Sequence, residues 1–133
     1  MARRDAAQPA KIQDVAKTQQ ISPRFLEGIL NQLRHAGIVE SRRGSDGGYL
    51  LARPALTITV GEIVRCIQGP IAIAGRDRKP DKNAPQLFGE EAFEQLWGDI
   101  DAAVNAVCDT RTLADLLESA AENQRQTPII YVI

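Results

Sequence analysis

Apolar side chains recur at three- and four-residue spacing early in the chain, switch to a short alternating run broken by glycines, and return to helical spacing after residue 89. In the first helical stretch, 12–18, Ile12, Val15 and Ala16 fall on one face, and 19–21 makes a turn. Ser22 suits an N-cap, because its hydroxyl accepts from an otherwise unpaired backbone N–H. Pro23 suits the first helical position, because it has no N–H to lose. A second helix is therefore expected from there to about Ala36, burying Phe25, Leu26, Ile29, Leu30 and Leu33 on one side and ended by a left-handed Gly37. A hairpin follows: 38–43 rises, 44–48 turns, 49–52 returns, and Pro54 stops it. Short helical segments, a longer helix and a glycine-tipped hairpin make a winged helix-turn-helix, so the fold class is mainly α with a small β wing.

The second half adds a long helix over 90–107, with Phe93, Leu96, Trp97, Ile100, Val104 and Val107 in a heptad-like seam and Glu90, Glu91 and Glu94 at its favourable N-terminal end. That seam packs on its own domain or serves as a dimerisation surface, the second being the expectation because two-fold symmetry doubles a small protein's contacts without new chemistry. Thr112 and Asp115 resemble a capping box with Asp in place of Glu, opening a last helix to about Gln124 that buries Leu113, Leu116 and Leu117. The apolar tail 127–133 is β-prone; it pairs as an edge strand, meets a partner, or stays loose. The expected organisation is a winged domain over 1–70 with 1–10 disordered, a flexible loop over 71–88, and the dimerisation helix, last helix and tail over 89–133.

In a helix-turn-helix the second helix enters the major groove by its N-terminal end, which here places Ser22, Pro23, Arg24 and Glu27 at the bases with Phe25 flanking. Arg24 matches guanine and Glu27 matches the cytosine amine. Arg42 and Arg43, beside the glycine turn, suit a narrow minor groove or its phosphates, and Arg34, Ser45 and Tyr49 complete the candidate contact set. Residues 1–53 carry nine basic against five acidic side chains, a net of +4, leaving −5 for the rest of a chain whose total is −1. A basic reader joined to an acidic assembly segment is the distribution expected of a DNA-binding protein. Winged helices also serve as protein-interaction modules, and docking to another regulator is the alternative reading.

An enzyme finds no support. The Gly44 to Gly48 cluster lies between two strands, so it is a turn rather than a phosphate cradle, and His35 is the single histidine. No stretch is long and apolar enough for a membrane span, no secretory signal opens the chain, and two isolated cysteines suit a reducing cytoplasm.

The residues ISPRFLEGILNQLRHAGIVESRRGSDGGYLLARP followed by ITVGEIVRCI resemble the IscR-type winged-helix regulators of bacteria, the Rrf2 family, closely over 11–67 and in outline beyond. The resemblance implies major-groove roles for Ser22, Arg24, Phe25 and Glu27, a minor-groove role for Arg43, and a dimer whose long helices cross. Two departures stand out. Family members resemble one another in an additional N-terminal helix, where this chain offers MARRDAAQPAK, so the faces of the reading helices are expected to be incompletely covered: either the start is truncated or a partner fills the gap, and Arg3 and Arg4 read as part of an ordinary solvated tail before they read as phosphate contacts. Iron–sulfur members share three cysteines in the loop before the long helix. Here that loop, 71–88, has neither cysteine nor histidine, so no cofactor is expected, and Cys66 and Cys108 are left as small hydrophobes or a thiol switch.

Overall fold

The computed structural model describes residues 8–73 and 88–126. Helix α1 (Ile12–Gln19) and α2 (Pro23–His35) form the helix-turn-helix. Strands β1 (Val39–Arg42) and β2 (Gly48–Leu51) form the wing, and after a 3-10 turn (Ala55–Thr57) come α3 (Val60–Gln68), the long α4 (Glu90–Thr110) and α5 (Leu113–Gln126). The mainly helical winged fold read from the sequence is present.

The α1–α2 turn is set by the main chain: Gln20 takes a left-handed conformation (φ 54°) and the Ile21 N–H reaches the Ala16 carbonyl at 2.9 Å. Ser22 caps α2 as expected, its hydroxyl accepting from the Phe25 N–H at 3.4 Å, with Pro23 in the first turn. The other end closes through Gly37 (φ +70°), with Gly37 N–H donating to Arg34 O at 3.0 Å and Ile38 N–H to Leu33 O at 2.9 Å. This reciprocal pair satisfies two terminal carbonyls and turns Ile38 inward.

The core is one cluster: Ala16 of α1, Leu26 and Leu30 of α2, Ile38, Val39 and Ile58, flanked by half-buried Leu33, Tyr49, Ile63, Cys66 and Leu113. Phe25, expected on the buried side, is 64% exposed. One residue is about 100° of helix rotation, so Phe25 lies on the flank of the stripe made by Leu26, Ile29, Leu30 and Leu33. Leu116, also expected inside, is 49% exposed, since α5 is held chiefly by its first turn. There the Thr112 N–H donates to Asp115 Oδ2 at 2.8 Å and the Asp115 N–H donates to the Thr112 hydroxyl at 3.2 Å, the reciprocal cap the sequence suggested.

In the wing, Val39 faces Leu51, Ser41 faces Tyr49 and Arg42 faces Gly48 in an antiparallel register. The expectation that 1–10 is disordered fails at its end. Ala10 is 1% exposed and exchanges two hydrogen bonds with Tyr49 across the outer edge of β2 (2.7 and 2.9 Å). A two-stranded sheet leaves that edge unpaired, and the segment before α1 satisfies it. Gly48 makes this approach possible, because a Cβ there would stand 2.6 Å from the Ala10 carbonyl oxygen. Arg3 and Arg4, most of the 71–88 loop, and the 127–133 tail lie outside the described residues.

Helix α3 starts at a full capping box: the Glu62 N–H donates to the Thr59 hydroxyl (3.1 Å) and the Thr59 N–H donates to the Glu62 carboxylate (2.9 Å). Arg53 binds the same carboxylate at 2.6 Å and the Thr57 carbonyl at 2.7 Å, tying the wing's exit to α3. α3 then meets the α4–α5 junction through the main chain, with Val60 N–H to Arg111 O (2.8 Å) and Leu113 N–H to Ile58 O (2.9 Å).

The Thr59 N–H, then Arg53, holds the Glu62 carboxyl below its ordinary 4.5. The stabilisation is therefore complete above pH 4.5 and disappears as pH falls through the lowered folded-state value. Glu62→Gln is expected to cost roughly 0.5–1 kcal/mol near neutrality, as for an exposed cap and ion pair. The gap from wild type in urea midpoints should shrink below pH 4.5; a gap constant down to pH ~3 would refute the assignment. Gly48→Ala is expected to destabilise by about 1–3 kcal/mol through backbone overlap. It should also strip hydrogen-exchange protection from the Tyr49 amide, and retained protection would refute the docking of Ala10.

Candidate nucleic-acid interface

Helix α2 is anchored by Leu26 and Leu30, 8% and 3% exposed, and closed at both ends by the caps described above. The opposite surface is then free and stiff. Arg24, Glu27, Asn31 and Arg34 are exposed on it. Arg34 Nη2 donates to Asn31 Oδ1 at 2.9 Å, so that guanidinium lies along the helix, and His35 Nδ1 sits 2.7 Å from the Asn31 carbonyl in the same last turn. The Arg34 cation there suits the negative end of the helix dipole. Arg24 and Glu27 make no side-chain hydrogen bond or ion pair among the described residues, which leaves a donor fork and an acceptor carboxylate one turn apart for a ligand. Ser22 and Pro23 are exposed at the start of α2, with the Ser22 oxygen engaged in the cap.

On the wing, Arg42, Arg43 and Ser45 are exposed at the tip. Tyr49 is half-buried against the core, and its backbone pairs with Ala10. Its pairing draws the first residues of α1 up beside the hairpin, and an open groove of about 470 Å³ forms between them, walled by Lys11, Gln13, Ser41, Arg42, Ser45 and Tyr49. Lys11 is thus a candidate contact that sequence reasoning missed. It was visible only as a basic residue before a helix, and nothing in its neighbours signals that Ala10 joins β2.

The seam of α4 lies open. Phe93, Leu96, Trp97 and Val107 are 65, 50, 39 and 61% exposed, Ile100 and Val104 are half-buried, and no residue of α4 is fully buried. Cys66 and Cys108 are both half-buried and unbridged. Cys66 faces a second open groove of about 530 Å³ between α2 and α3, shared with Gly28, Gln32 and His35. Cys108 lies on α4 beside Arg65.

A family described as "Rrf2: Iron-dependent Transcriptional regulator" matches residues 1–119. That description names iron, and the donors of this chain do not fit a thiolate-held cluster. The whole sequence has two cysteines and one histidine. Cys66 on α3, Cys108 on α4 and His35 at the end of α2 form no set of three or more possible metal ligands with any Asp or Glu among the described residues, against the four ligands a cluster usually takes. No helix of the described residues is long and apolar enough to cross a membrane.

Among relatives, the HTH-type transcriptional regulator CymR of Bacillus subtilis is 32% identical over 134 aligned positions, covering 99% of this chain and 88% of that protein. The rrf2 protein of Nitratidesulfovibrio vulgaris is 34% identical over 114 positions, covering 86% of this chain and 75% of that one. In three dimensions the chain is similar to IscR of T. potens (TM-score 0.74, 30% identity, 98% of this chain and 84% of that chain). It is likewise similar to the B. subtilis CymR structure (TM-score 0.72, 34% identity, 89% and 84%). The free face of α2, the basic wing and these likenesses have one explanation: the chain belongs to the Rrf2 family, whose members are DNA-binding transcriptional regulators and not enzymes.

Proposed function

We propose that this protein is a cytoplasmic, sequence-specific repressor that binds an imperfect palindrome as a homodimer. Ser22, Pro23, Arg24, Phe25 and Glu27 address the major groove, with Arg34 at the phosphate edge. Arg42, Arg43 and Ser45 follow the adjacent minor groove, and Lys11 joins Arg42 at a phosphate. The observation that carries this reading is the pairing of a helix fixed at both caps with an outward Arg24 and Glu27 that nothing else among the described residues uses. Dimerisation through Phe93, Leu96, Trp97, Ile100, Val104 and Val107 is supported by an apolar stripe that one chain leaves open to water. Burying it in a copy of itself aligns two readers by a two-fold axis, which a palindrome mirrors.

The test is a binding selection from random duplexes with the purified protein, read by sequencing, together with its mass in solution. A palindromic consensus bound by a dimer is the expected result. A folded protein that enriches no sequence overturns it and favours the protein-docking alternative. On the selected site, Arg43→Ala should weaken binding and flatten the plot of log affinity against log salt by about one unit, as for one phosphate neutralised. Arg24→Ala should relax base preference at one position per half-site, a discrimination of about 1–3 kcal/mol. Equal losses on specific and random DNA for Arg24→Ala would remove its base-reading role.

A further inference from the structure

Helix α4 carries Asp101, Asn105 and Asp109 at four-residue spacing, hence on one face. All three reach back to the winged domain or its exit. Asp109 takes the Arg65 guanidinium in a two-point fork, Nη1 to Oδ1 at 2.7 Å and Nη2 to Oδ2 at 2.8 Å. Asn105 Oδ1 accepts from Arg65 Nη2 at 2.9 Å, while its Nδ2 donates to the Ile71 carbonyl at 3.0 Å. Asp101 Oδ1 accepts from the Ile73 N–H at 2.8 Å. The ladder therefore grips α3 through one arginine and the chain leaving α3 through its backbone.

Gly61, one turn before Arg65, is buried, and a Cβ there would fall on the Asp109 carboxylate and the Arg65 guanidinium. The fork occupies space that only glycine leaves. Six residues before Arg65, about 9 Å along a helix, Thr59 and Thr112 form a main-chain bridge between the same two parts. Such a bridge, made of the two main-chain hydrogen bonds Val60 N–H to Arg111 O and Leu113 N–H to Ile58 O, fixes where the start of α3 touches the α4–α5 junction. The planar fork at Arg65 supplies the second point. Both partners are partly exposed, at 37% and 49%, so the pair adds little to global stability; its two-point geometry fixes direction.

We propose that Arg65, with Asp109 and Asn105, is a positioning latch that sets the angle between the winged domain and α4, and thereby the spacing of DNA half-sites the dimer accepts. The second half of this rests on the DNA-reading dimer proposed above; the first half does not.

Two measurements separate them. Ser45→Cys and Asp99→Cys, in a Cys66→Ala/Cys108→Ala background, carry spin labels on the wing and α4 of one chain, diluted with unlabelled protein. Pulsed electron resonance then reads the distance between them without DNA. A narrow distribution is expected for the parent and a broadened or shifted one for Arg65→Ala and for Gly61→Ala. Alanine at 61 favours helix over glycine, so loosening there points to the latch and not to a melted α3. The exchanged pair Arg65→Asp/Asp109→Arg should narrow the distribution again. Unchanged distributions in both variants overturn the latch, whatever happens on DNA. On the selected palindrome, the parent is expected to lose at least about ten-fold in affinity when one base pair is inserted between half-sites, because that rotates them by a tenth of a turn. Arg65→Ala should lose no more than two- to three-fold. Broadened distances with full spacing discrimination would retain the latch and overturn its role in half-site choice. Failure of the parent to select any site would overturn the DNA reading and that role, leaving the distances to judge the latch.

Discussion

Ile58 is the residue on which the parts of this molecule converge. Its side chain is fully buried, at 0% exposure, in the cluster that holds α1, α2 and the wing, and its carbonyl accepts the Leu113 N–H at the start of α5. Its immediate successor, Thr59, caps α3. A single extended residue thus serves the core, the junction to the long helix and the entry to the next element. Few side chains are fully buried among the described residues, so burial alone is a thin source of order there. Caps and two-point main-chain pairs account for much of what fixes each helix.

That economy explains how α2 carries two tasks in thirteen residues. Leu26 and Leu30 commit one face to the core, and the Ser22 and Gly37 closures bind the ends, so Arg24 and Glu27 point outward without a partner among the described residues. Charge follows the same division. Residues 88–126 contain nine acidic and two basic side chains, a net of −7, whereas 1–53 are net +4. A polyanion is drawn to the winged half and repelled from the α4–α5 half, so electrostatics orients the molecule before any side chain meets a base.

Local signals were legible in the sequence. Ser22-Pro23 and Gly37 marked the limits of α2, the glycine run marked the wing, and Thr112 with Asp115 marked α5, because each depends on a few neighbours and a fixed spacing. What depends on distant partners was not. Phe25 reads as core by its apolarity, yet it sits at the flank of the stripe, where only a further element would cover it. Ala10 reads as the end of a polar tail, yet its backbone completes a sheet edge, an interaction that involves no side chain and leaves no compositional trace. Tyr49 reads as a wing contact, and its second position, with its backbone paired to Ala10 and its side chain against the core, has no signature in the sequence. Of the candidate site, Arg24, Glu27, Arg42 and Arg43 stand exposed where patterning put them, whereas Lys11 enters only through the fold.

The polar ladder on α4 belongs to the second class. Arg65 lies 40 residues from Asn105 and 44 from Asp109, so no window of sequence joins it to them. The rungs at Asn105 and Asp101 hold the backbone of Ile71 and Ile73, the last described residues before 74–87. Those rungs share one helix face with the grip on Arg65, so a single stripe of α4 holds both α3 and the chain that leaves it. A displacement of Ile71 or Ile73 would load the same face that orients Arg65, which ties the exit of α3 to the angle of the helix itself.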